Sequence, residues 1–303
     1  MTFVDPGFEY FLAAYELGSI NAAARSLFVS PSAVSRQVAR LEKEAGATFF
    51  ERAHAGVLPT PAGTAFAGYV RRVLRETAAC LDALGSLKGE VKVLSVATTS
   101  GLIHQLVPTV LRRFRAEHPN VSFRIEMTDP RHASQRVRQG SVDVAVTFTL
   151  ADEPGVEVNF TVPAETRAVM SPGHPLAARS SVSIREVARY PLALLPHGNT
   201  NRILFEAFCQ RNEIHLMPSL ECDSPAGTLE YLQDSDTIAL LSEIAVLKDL
   251  SAGTVVAVDL DEPDLGTRSL QVQTRQDHEL DPVTREFVGF LSGQLASLSP
   301  QAR

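Results

Sequence analysis

The fold of this chain is decided first by the stretch SPSAVSRQVARLEKEAG, residues 30–46. Ser30 suits an N-cap, because its hydroxyl can accept from an amide of the first turn. Pro31 suits the first helical position, where the amide that it lacks would have no partner in any case. Gly46 suits the end of a helix. The stretch therefore predicts a helix with clear signals at both ends.

The predicted helix has one apolar and one polar face. Val34, Val38 and Leu41 follow helical spacing and form a stripe that would be buried. The polar residues outside this stripe are Ser32, Ser35, Arg36, Gln37 and Arg40. The exposed face is therefore short, polar and cationic.

A shorter helix precedes this one closely. Residues 21–27, NAAARSL, indicate a helix capped by Asn21, and only Phe28 and Val29 separate it from Ser30. Two helices joined by so tight a turn, with the second polar and basic, are typical of a helix-turn-helix. An ordinary helical hairpin in an enzyme is the alternative.

Several stretches together resemble the N-terminal domain of the LysR-type transcriptional regulators. They are residues 18–24 (GSINAAA), 30–38 (SPSAVSRQV), 41–42 (LE), 46 (G), 49–52 (FFER) and 60–63 (TPAG). Two departures are Pro31, where the family often has Gln, and Phe49-Phe50, where it usually has Leu-Phe. Because proline cannot make the contact that glutamine makes, one contact to DNA is expected to be missing. The resemblance implies DNA contacts at Asn21, Ser30, Ser32, Ser35, Arg36, Arg40 and Arg52.

Past Gly46, residues 48–52 and 57–59 indicate two short strands that form a wing, with Arg52 at its base. Thr60 then caps a long helix over residues 61–87. Its apolar positions are spaced four and three apart alternately, as in a heptad seam. The seam residues are Phe66, Val70, Val73, Thr77, Cys80, Leu84 and Leu87. The spacing favours a coiled-coil-like contact in a dimer; an amphipathic helix lying on its own domain is the alternative. Cys80 is expected in the core of this seam, with a regulatory disulfide as the lesser alternative.

Length and composition indicate a multidomain globular protein. The 303 residues exceed one compact core, and 45% apolar with 21% charged residues is the balance of a folded chain. No apolar run reaches the length of a membrane span, and the N-terminus lacks the pattern of a signal peptide. The three cysteines form no disulfide framework. We therefore expect a cytoplasmic protein with reduced thiols and no membrane partner.

The net charge of −7 is unevenly distributed. Residues 1–89 carry nine Lys and Arg against eight Asp and Glu, whereas residues 90–303 carry 19 against 27. Affinity for DNA depends on how many phosphates are neutralised, so one copy has too few cations to bind DNA well. A homodimer or homotetramer on double-stranded DNA is therefore expected, with RNA polymerase as a further candidate partner.

From residue 90 the pattern changes to alternating strands and helices, which predicts parallel sheets. Strands at 91–97, 121–127 and 142–148 alternate with helices at 102–117 and 130–139. The order recurs with strands at 192–195, 219–222 and 237–241 and helices at 201–212 and 226–234. Strands 156–162 and 165–170 are expected to cross between two similar lobes. A strand at 253–258, a strand at 269–274 and a last helix from 282 return the chain to the first lobe.

The predicted class is α/β: a winged helix-turn-helix at 1–60, a linker and dimerisation helix at 61–89, and a two-lobed effector domain at 90–303. Lobe I is assigned to about 90–162 and 268–303, and lobe II to about 163–267. The second half resembles the effector-binding domain of the same family, which is similar in fold to periplasmic solute-binding proteins. One departure is Ser235-Asp236, where the family usually has glycines.

Two loops with small polar residues follow the first strand of each lobe, at 98–101 and 198–200. Ligands of such folds bind at the carboxyl ends of the strands, and a helix N-terminus favours a small anion. An ordinary N-cap is the alternative for each loop taken singly. With the resemblance, the expected effector contacts are Thr98, Thr99, Ser100, Gly101, Thr147, Phe148, Thr149, Gly198, Asn199, Thr200, Asp223 and Ser224. Thr200 stands near the place where peroxide-sensing members carry a reactive cysteine.

The sequence gives little support for catalysis. His197 could form a dyad with Cys209 or Asp223, but Cys209 lies beside Phe205 and Phe208 in a helical pattern that favours a core position. The usual catalytic, nucleotide-binding and metal motifs do not occur, so no metal or other cofactor is expected. The interpretation is a DNA-binding transcription regulator, not an enzyme, controlled by a small anionic metabolite between two lobes. The alternatives are a solute-binding oligomeric module without a DNA-binding role and, less favoured, a cytoplasmic enzyme.

Overall fold

A computed structural model describes residues 4–53, 56–86, 91–216, 218–262, 265, 267–276 and 278–297. The chain separates into two compact units, an N-terminal unit and one that begins at Val91. None of the described helices has the combination of length and apolar character that a membrane crossing requires.

The N-terminal unit contains four helices and a two-stranded antiparallel wing among the described residues. The elements are α1 (Gly7–Leu17), α2 (Ile20–Ser26), α3 (Pro31–Ala45), β1 (Phe50–Ala53), β2 (Gly56–Pro59) and α4 (Pro61–Ser86). The predicted winged helix-turn-helix is confirmed, and so are both ends of α3. Ser30 Oγ accepts from Ala33 N at 3.3 Å, and Gly46 adopts φ +65° at the C-cap.

The predicted cap of α2 is wrong. Ser19, with φ −157° and ψ +125°, is the N-cap, and its side chain accepts from Ala22 N. Asn21 already lies in the first turn of the helix. Ser19 and Asn21 both belong to the capping residue types, so composition alone could not choose between them.

The core of the N-terminal unit is built on aromatic rings. Phe66 of α4 stacks on Phe49 with ring centroids 4.2 Å apart, and Phe11 meets both rings edge-on at 5.2 and 4.9 Å. Val70 is fully buried in the same core, and Val73 packs against it. The first turns of α4 therefore pack on their own domain.

The predicted seam of α4 is consequently wrong in its first half. Phe66, Val70 and Val73 already pack within this unit, because three-four spacing serves self-packing as well as pairing. In the second half of α4, Cys80 is exposed and Leu81 and Leu84 are almost half exposed in the single chain, so the pairing role of this half stays a prediction. Leu87 lies outside the described residues. We call Cys80, Leu81 and Leu84 the exposed stripe of α4.

Backbone contacts join the wing to the helices on either side. Glu42 Oε1 accepts from Phe49 N at 2.6 Å and from Phe50 N at 3.2 Å. Thr60 N donates to Phe49 O at 2.9 Å. Gly63 approaches the same carbonyl so closely that a Cβ atom there would lie 2.1 Å from Phe49 O. Only glycine fits at this crossing.

The second unit begins with lobe I. Its five-stranded sheet has the order β4-β3-β5-β13-β6, in which β4, β3 and β5 run parallel and β13 runs antiparallel to β5 and β6. The elements are β3 (Lys92–Thr98), α5 (Ser100–Ile103), α6 (Leu106–Glu117), β4 (Val121–Met127), α7 (Pro130–Gln139), β5 (Val144–Thr149), β6 (Val156–Pro163), β13 (Ser269–Arg275) and α12 (Pro282–Ala296).

Lobe II repeats this arrangement in the order β10-β9-β11-β7-β12, with β8 added at the edge. The elements are β7 (Thr166–Met170), β8 (Ser181–Val182), α8 (Ile184–Val187), β9 (Leu192–Leu194), α9 (Thr200–Arg211), β10 (Pro218–Glu221), α10 (Pro225–Leu232), β11 (Ile238–Ser242), a 3-10 helix (Glu243–Val246), α11 (Leu247–Ala252) and β12 (Val256–Leu260). The predicted repeat, the crossing strands and the return of the last helix to lobe I are confirmed.

Two predicted boundaries in this unit are wrong. The helix expected over 102–117 is broken at Gln105, which has φ −133° and ψ −57°. Its side chain instead accepts from Lys248 N of lobe II at 2.8 Å and bonds to Asp249. The strand expected from Gly253 begins only at Val256, because Gly253, with φ +68°, ends α11.

The 3-10 helix Glu243–Val246 is shared by both lobes. Ile244 packs into the core of lobe I, whereas Ala245 and Val246 pack into lobe II. With Gln105, this helix forms a direct connection between the lobes beside the two crossing strands.

Candidate nucleic-acid interface and ligand cleft

The polar face of α3 is available for contact with a partner. Ser32, Ser35 and Arg36 are exposed, and Arg36 has no hydrogen bond or ion pair with the described residues. Ser32 Oγ lies 3.0 Å from Ser30 Oγ, so the two hydroxyls form one small patch at the start of the helix. An exposed, unpaired guanidinium beside hydroxyl groups can bind phosphate oxygens or a guanine edge.

Arg40, on the same helix, is already engaged. Its guanidinium contacts Asp5 at 2.5 Å, Glu44 at 2.9 Å and Gln37 Oε1 at 3.0 Å. The hydrogen bond from Arg40 lowers the pKa of Asp5, although burial opposes this. A phosphate at Arg40 would have to displace two carboxylates.

The other predicted nucleic-acid contacts are more dispersed. Asn21 is exposed on the first turn of α2. Arg52 lies on β1, and its side chain is outside the described part of the structure. Ser30 uses its hydroxyl as the cap of α3.

The second candidate site centres on Arg268, immediately before β13. The residue is only 5% exposed, and its guanidinium lies 4.4 Å from the centroid of the Phe148 ring. Nε donates to Ala164 O at 3.1 Å, and Nη1 donates to Thr200 Oγ1 at 3.3 Å. Arg268 thus joins lobe I, the crossing segment and the start of α9 in lobe II.

No carboxylate among the described residues pairs with Arg268. Burial lowers the pKa of its guanidinium to about 9, so the group still carries its positive charge at neutral pH. An isolated buried charge is costly unless it is paired. Arg268 is therefore a buried cation without an anionic partner among the described residues.

Three buried hydroxyls have no hydrogen-bond partner in the described structure: Thr99 Oγ1, Thr147 Oγ1 and Ser242 Oγ. Each belongs to a residue at the carboxyl end of a central strand or just beyond it. Buried polar groups are nearly always satisfied, so each exception requires a reason. A bound ligand that supplies hydrogen bonds is such a reason.

The remaining predicted cleft residues have mixed environments. Thr98 is buried and donates to Val146 O at 3.0 Å, while Phe148 and Thr149 are buried at the end of β5. Ser100 is partly exposed. Gly101 lies against Phe148 and Ala245, since a Cβ atom there would be 3.4 and 3.5 Å from them.

In lobe II, the predicted loop residues mostly support the backbone. Asn199 caps α9 by accepting from Asn201 N at 2.9 Å, and Gly198 adopts φ +88° just before it. Ser224 caps α10, and Asp223 is exposed. No described contact joins Asp223 or Ser224 to Arg268.

Sequence reasoning missed Arg268 and Ser242. The signal for Arg268 was its phase: it lies two and four residues before Leu270 and Val272, which face the core of lobe I. A charged residue in the apolar phase of a strand marks a buried cation. Ser242 gave no such signal, because serine is common at strand ends.

The groups of the alternative catalytic dyad have other surroundings. His197 is exposed, and its Nδ1 atom lies 3.2 Å from Glu206 Oε1. Cys209 packs in the core of lobe II, where burial raises the pKa of its thiol to about 11. Such a thiol is protonated at neutral pH and is a poor nucleophile.

Comparison with known proteins identifies two family domains in this chain. A model described as "Bacterial regulatory helix-turn-helix protein, lysR family" matches residues 7–64, and one described as "LysR substrate binding domain" matches residues 88–296. An uncharacterized HTH-type transcriptional regulator of Mycobacterium tuberculosis is 32% identical, over 84% of this chain and 85% of that protein.

Solved structures share the fold. Full-length CbnR complexed with its target DNA covers 97% of this chain and 100% of its own, with 19% identity and a TM-score of 0.61. The effector binding domain of QuiR in complex with shikimate covers 67% of this chain and 97% of its own, with 16% identity and a TM-score of 0.54. Together with the two family models, these likenesses establish that the chain belongs to the LysR family of DNA-binding transcription regulators.

Proposed function

We propose that this regulator reads an operator with Ser32, Ser35 and Arg36 of α3, and that a small anionic metabolite bound between the two lobes controls this binding. Residues 1–60 would bind the operator, residues 61–89 would pair two copies of the chain, and residues 90–303 would bind the metabolite. The observation that carries the reading role is the unpaired Arg36 on the exposed face of a well-capped helix.

Two copies are needed for adequate affinity. The N-terminal segment is almost neutral, and Arg40 is engaged by Asp5 and Glu44. The exposed stripe of α4 offers an apolar surface for pairing with a second copy, which doubles the number of phosphate contacts. Two copies related by a two-fold axis would bind an operator that has two related half-sites.

The sensing role is supported by Arg268 together with the unpartnered hydroxyls of Thr99, Thr147 and Ser242. The QuiR domain, which is similar in fold, was solved with shikimate. We place the protein in the cytoplasm, where both DNA and metabolites are available, and we assign it no catalytic role.

The reading role is tested with full-length protein and a duplex that the wild type selects from random sequence, with affinity measured by fluorescence anisotropy. Arg36→Ala should lower the affinity by a factor of about 5 to 150, because one arginine-to-guanine contact is worth about 1–3 kcal/mol. Thermal unfolding should remain that of the wild type.

Arg40→Ala is the matched control on the same helix. Since Arg40 is held by Asp5 and Glu44, its loss should lower the affinity clearly less than the loss of Arg36. Wild-type affinity of Arg36→Ala, equal losses for the two variants, or failure of the wild type to select any sequence would each contradict the assignment.

A further inference from the structure

We infer that Arg268 is the carboxylate-binding residue of the cleft, and that the natural ligand is a small organic acid carrying at least one further oxygen group for the hydroxyls of Thr99 and Ser242. The inference rests on the proposed sensing role and names the chemical class of its ligand. None of the twelve cleft residues expected from the sequence carries a positive charge. Arg268 supplies the positive charge that an anionic ligand requires.

The first argument is charge. Arg268 is 5% exposed and has no carboxylate partner among the described residues. The other strongly buried arginine, Arg202, is 7% exposed and is paired with Glu206 at 2.6 Å. The two arginines are similarly buried, but of the two only Arg202 has an anionic partner among the described residues. A bound anion would supply the negative charge that no described residue places beside Arg268.

The second argument is the number of free donors. A guanidinium has five N–H groups. Arg268 uses one on Nε for Ala164 O and one on Nη1 for Thr200 Oγ1, and the described residues offer no acceptor to the other three. One of these is on Nη1 and two are on Nη2. This pair of nitrogens can hold both oxygens of one carboxylate.

The third argument is orientation. Phe148 covers one face of the guanidinium at 4.4 Å, which leaves its edge as the route for an anion. Thr200, which accepts from Nη1, is the first residue of α9. The positive end of that helix therefore adds to the field at the same place.

The fourth argument concerns the rest of the ligand. Thr99 and Ser242 are each only 3% exposed, yet their hydroxyls have no partner in the described structure. An acid without a further polar group would leave both hydroxyls unsatisfied. An acid with an additional hydroxyl, keto or carboxylate group satisfies at least one of them.

The test measures thermal unfolding of the full-length protein with acetate, succinate, malate and 4-hydroxybenzoate, and in parallel with the four corresponding amides. At least one acid should raise the Tm of the wild type by ~2–4 °C, because a ligand that binds only the folded state stabilises it. Its amide, which has the same shape without the charge, should not. Arg268→Gln should lose the response, and Arg268→Lys should keep only part of it.

Arg113→Gln is the control for the loss of one positive charge, since Arg113 is an exposed residue of lobe I, and it should respond as the wild type does. The double variant Thr99→Val with Ser242→Ala keeps Arg268. The wild type should respond more strongly to succinate or malate than to acetate, because only those two carry a further oxygen group. The double variant should lose this difference while still responding to acids. If Arg268→Gln does not fold, the comparison of Arg268→Lys with the wild type decides the role of the guanidinium fork.

The inference is overturned if no acid exceeds its amide, if Arg268→Gln or Arg268→Lys responds to acids as fully as the wild type, or if the double variant still responds more strongly to succinate or malate than to acetate. Anisotropy on the selected duplex separates this result from the proposed function. Acids that stabilise through Arg268 without altering DNA affinity would refute effector control and leave the carboxylate site standing. Amides that alter DNA affinity as the acids do would retain effector control and refute the role of Arg268.

Discussion

The two units of this regulator treat their polar groups in opposite ways. In the N-terminal unit, Ser19 and Ser30 cap helices, Glu42 accepts two backbone amides, and Arg40 is paired with carboxylates on the surface. In the second unit, a cation and three hydroxyls are buried without a matching partner in the described structure. Among the described residues, no buried side-chain polar group of the first unit lacks a hydrogen-bond partner. In the second unit three hydroxyls lack one, and Arg268 has no anionic partner.

This difference follows from where DNA and the small molecule bind. DNA contacts an outer face, so the interior of the winged helix can be satisfied fully without loss of function. A small molecule enters between the lobes, so the groups that receive it must be kept free of internal partners. Active and binding sites commonly sacrifice stability in this way. The comparison leads to three predictions, given from the largest expected effect to the smallest.

The largest effect is expected for Gly63→Ala, which should destabilise the N-terminal unit. A Cβ atom at Gly63 would lie 2.1 Å from Phe49 O, so the crossing of α4 over the wing must move apart. We expect a loss of at least ~3 kcal/mol in unfolding free energy and loss of specific DNA binding. Gly68→Ala in the same helix is the control, because nothing lies within 4 Å of its Cβ position, and it should be stabilised by about 1 kcal/mol. Denaturant unfolding of both variants tests this, and equal stability would contradict the close approach.

Removing one hydroxyl from each unit should have opposite effects. Ser30→Ala removes a helix cap and should cost about 1 kcal/mol. Thr147→Val keeps the shape and removes a buried hydroxyl that has no partner, so the ligand-free protein should be as stable as the wild type or gain about 1 kcal/mol. The two unfolding curves, measured without ligand, test the comparison directly. A clear loss for Thr147→Val would show that its hydroxyl is satisfied within the protein.

The smallest expected effect concerns backbone strain. Phe28, in the turn before α3, has φ +54° and is 96% exposed, so the residue is strained and gains little from burial. Phe28→Asn should stabilise the protein by about 0.5 kcal/mol, because asparagine tolerates the left-handed region better than phenylalanine. Asp234, with φ +50° in lobe II, is already a tolerant type, so Asp234→Asn should change nothing. A Tm of Phe28→Asn below that of the wild type would exclude strain at this turn.

The sequence was most informative where signals are local. Ser30, Pro31 and Gly46 bound α3, and the repeated strand-helix order gave both lobes. It was least informative where one pattern serves two purposes, as for Phe66 and Val70, whose spacing suits a dimer seam and a domain core equally. Burial of these two side chains depends on Phe11 and Phe49, which are distant in the chain.

The candidate cleft was predictable only in part for the same reason. Thr99 and Thr147 could be located from loop position, because the carboxyl ends of parallel strands meet at one edge. For Arg268, the phase with Leu270 and Val272 indicates burial, but its partners could not be predicted, since Ala164 and Thr200 lie 104 and 68 positions away. The residues next to Arg268 in the sequence do not reveal that Ala164 and the start of α9 contact it.

The 3-10 helix between β11 and α11 sets a limit on how the lobes can move. Ile244 is embedded in lobe I while its neighbours Ala245 and Val246 are embedded in lobe II. A wide opening would pull Ile244 out of its core, which costs roughly 1.5–3 kcal/mol for a side chain of this size. We therefore expect the lobes to turn through small angles about a fixed pivot rather than to open like a clam shell. Ligand occupancy would then be transmitted as a slight rotation, with most of the binding energy left for affinity.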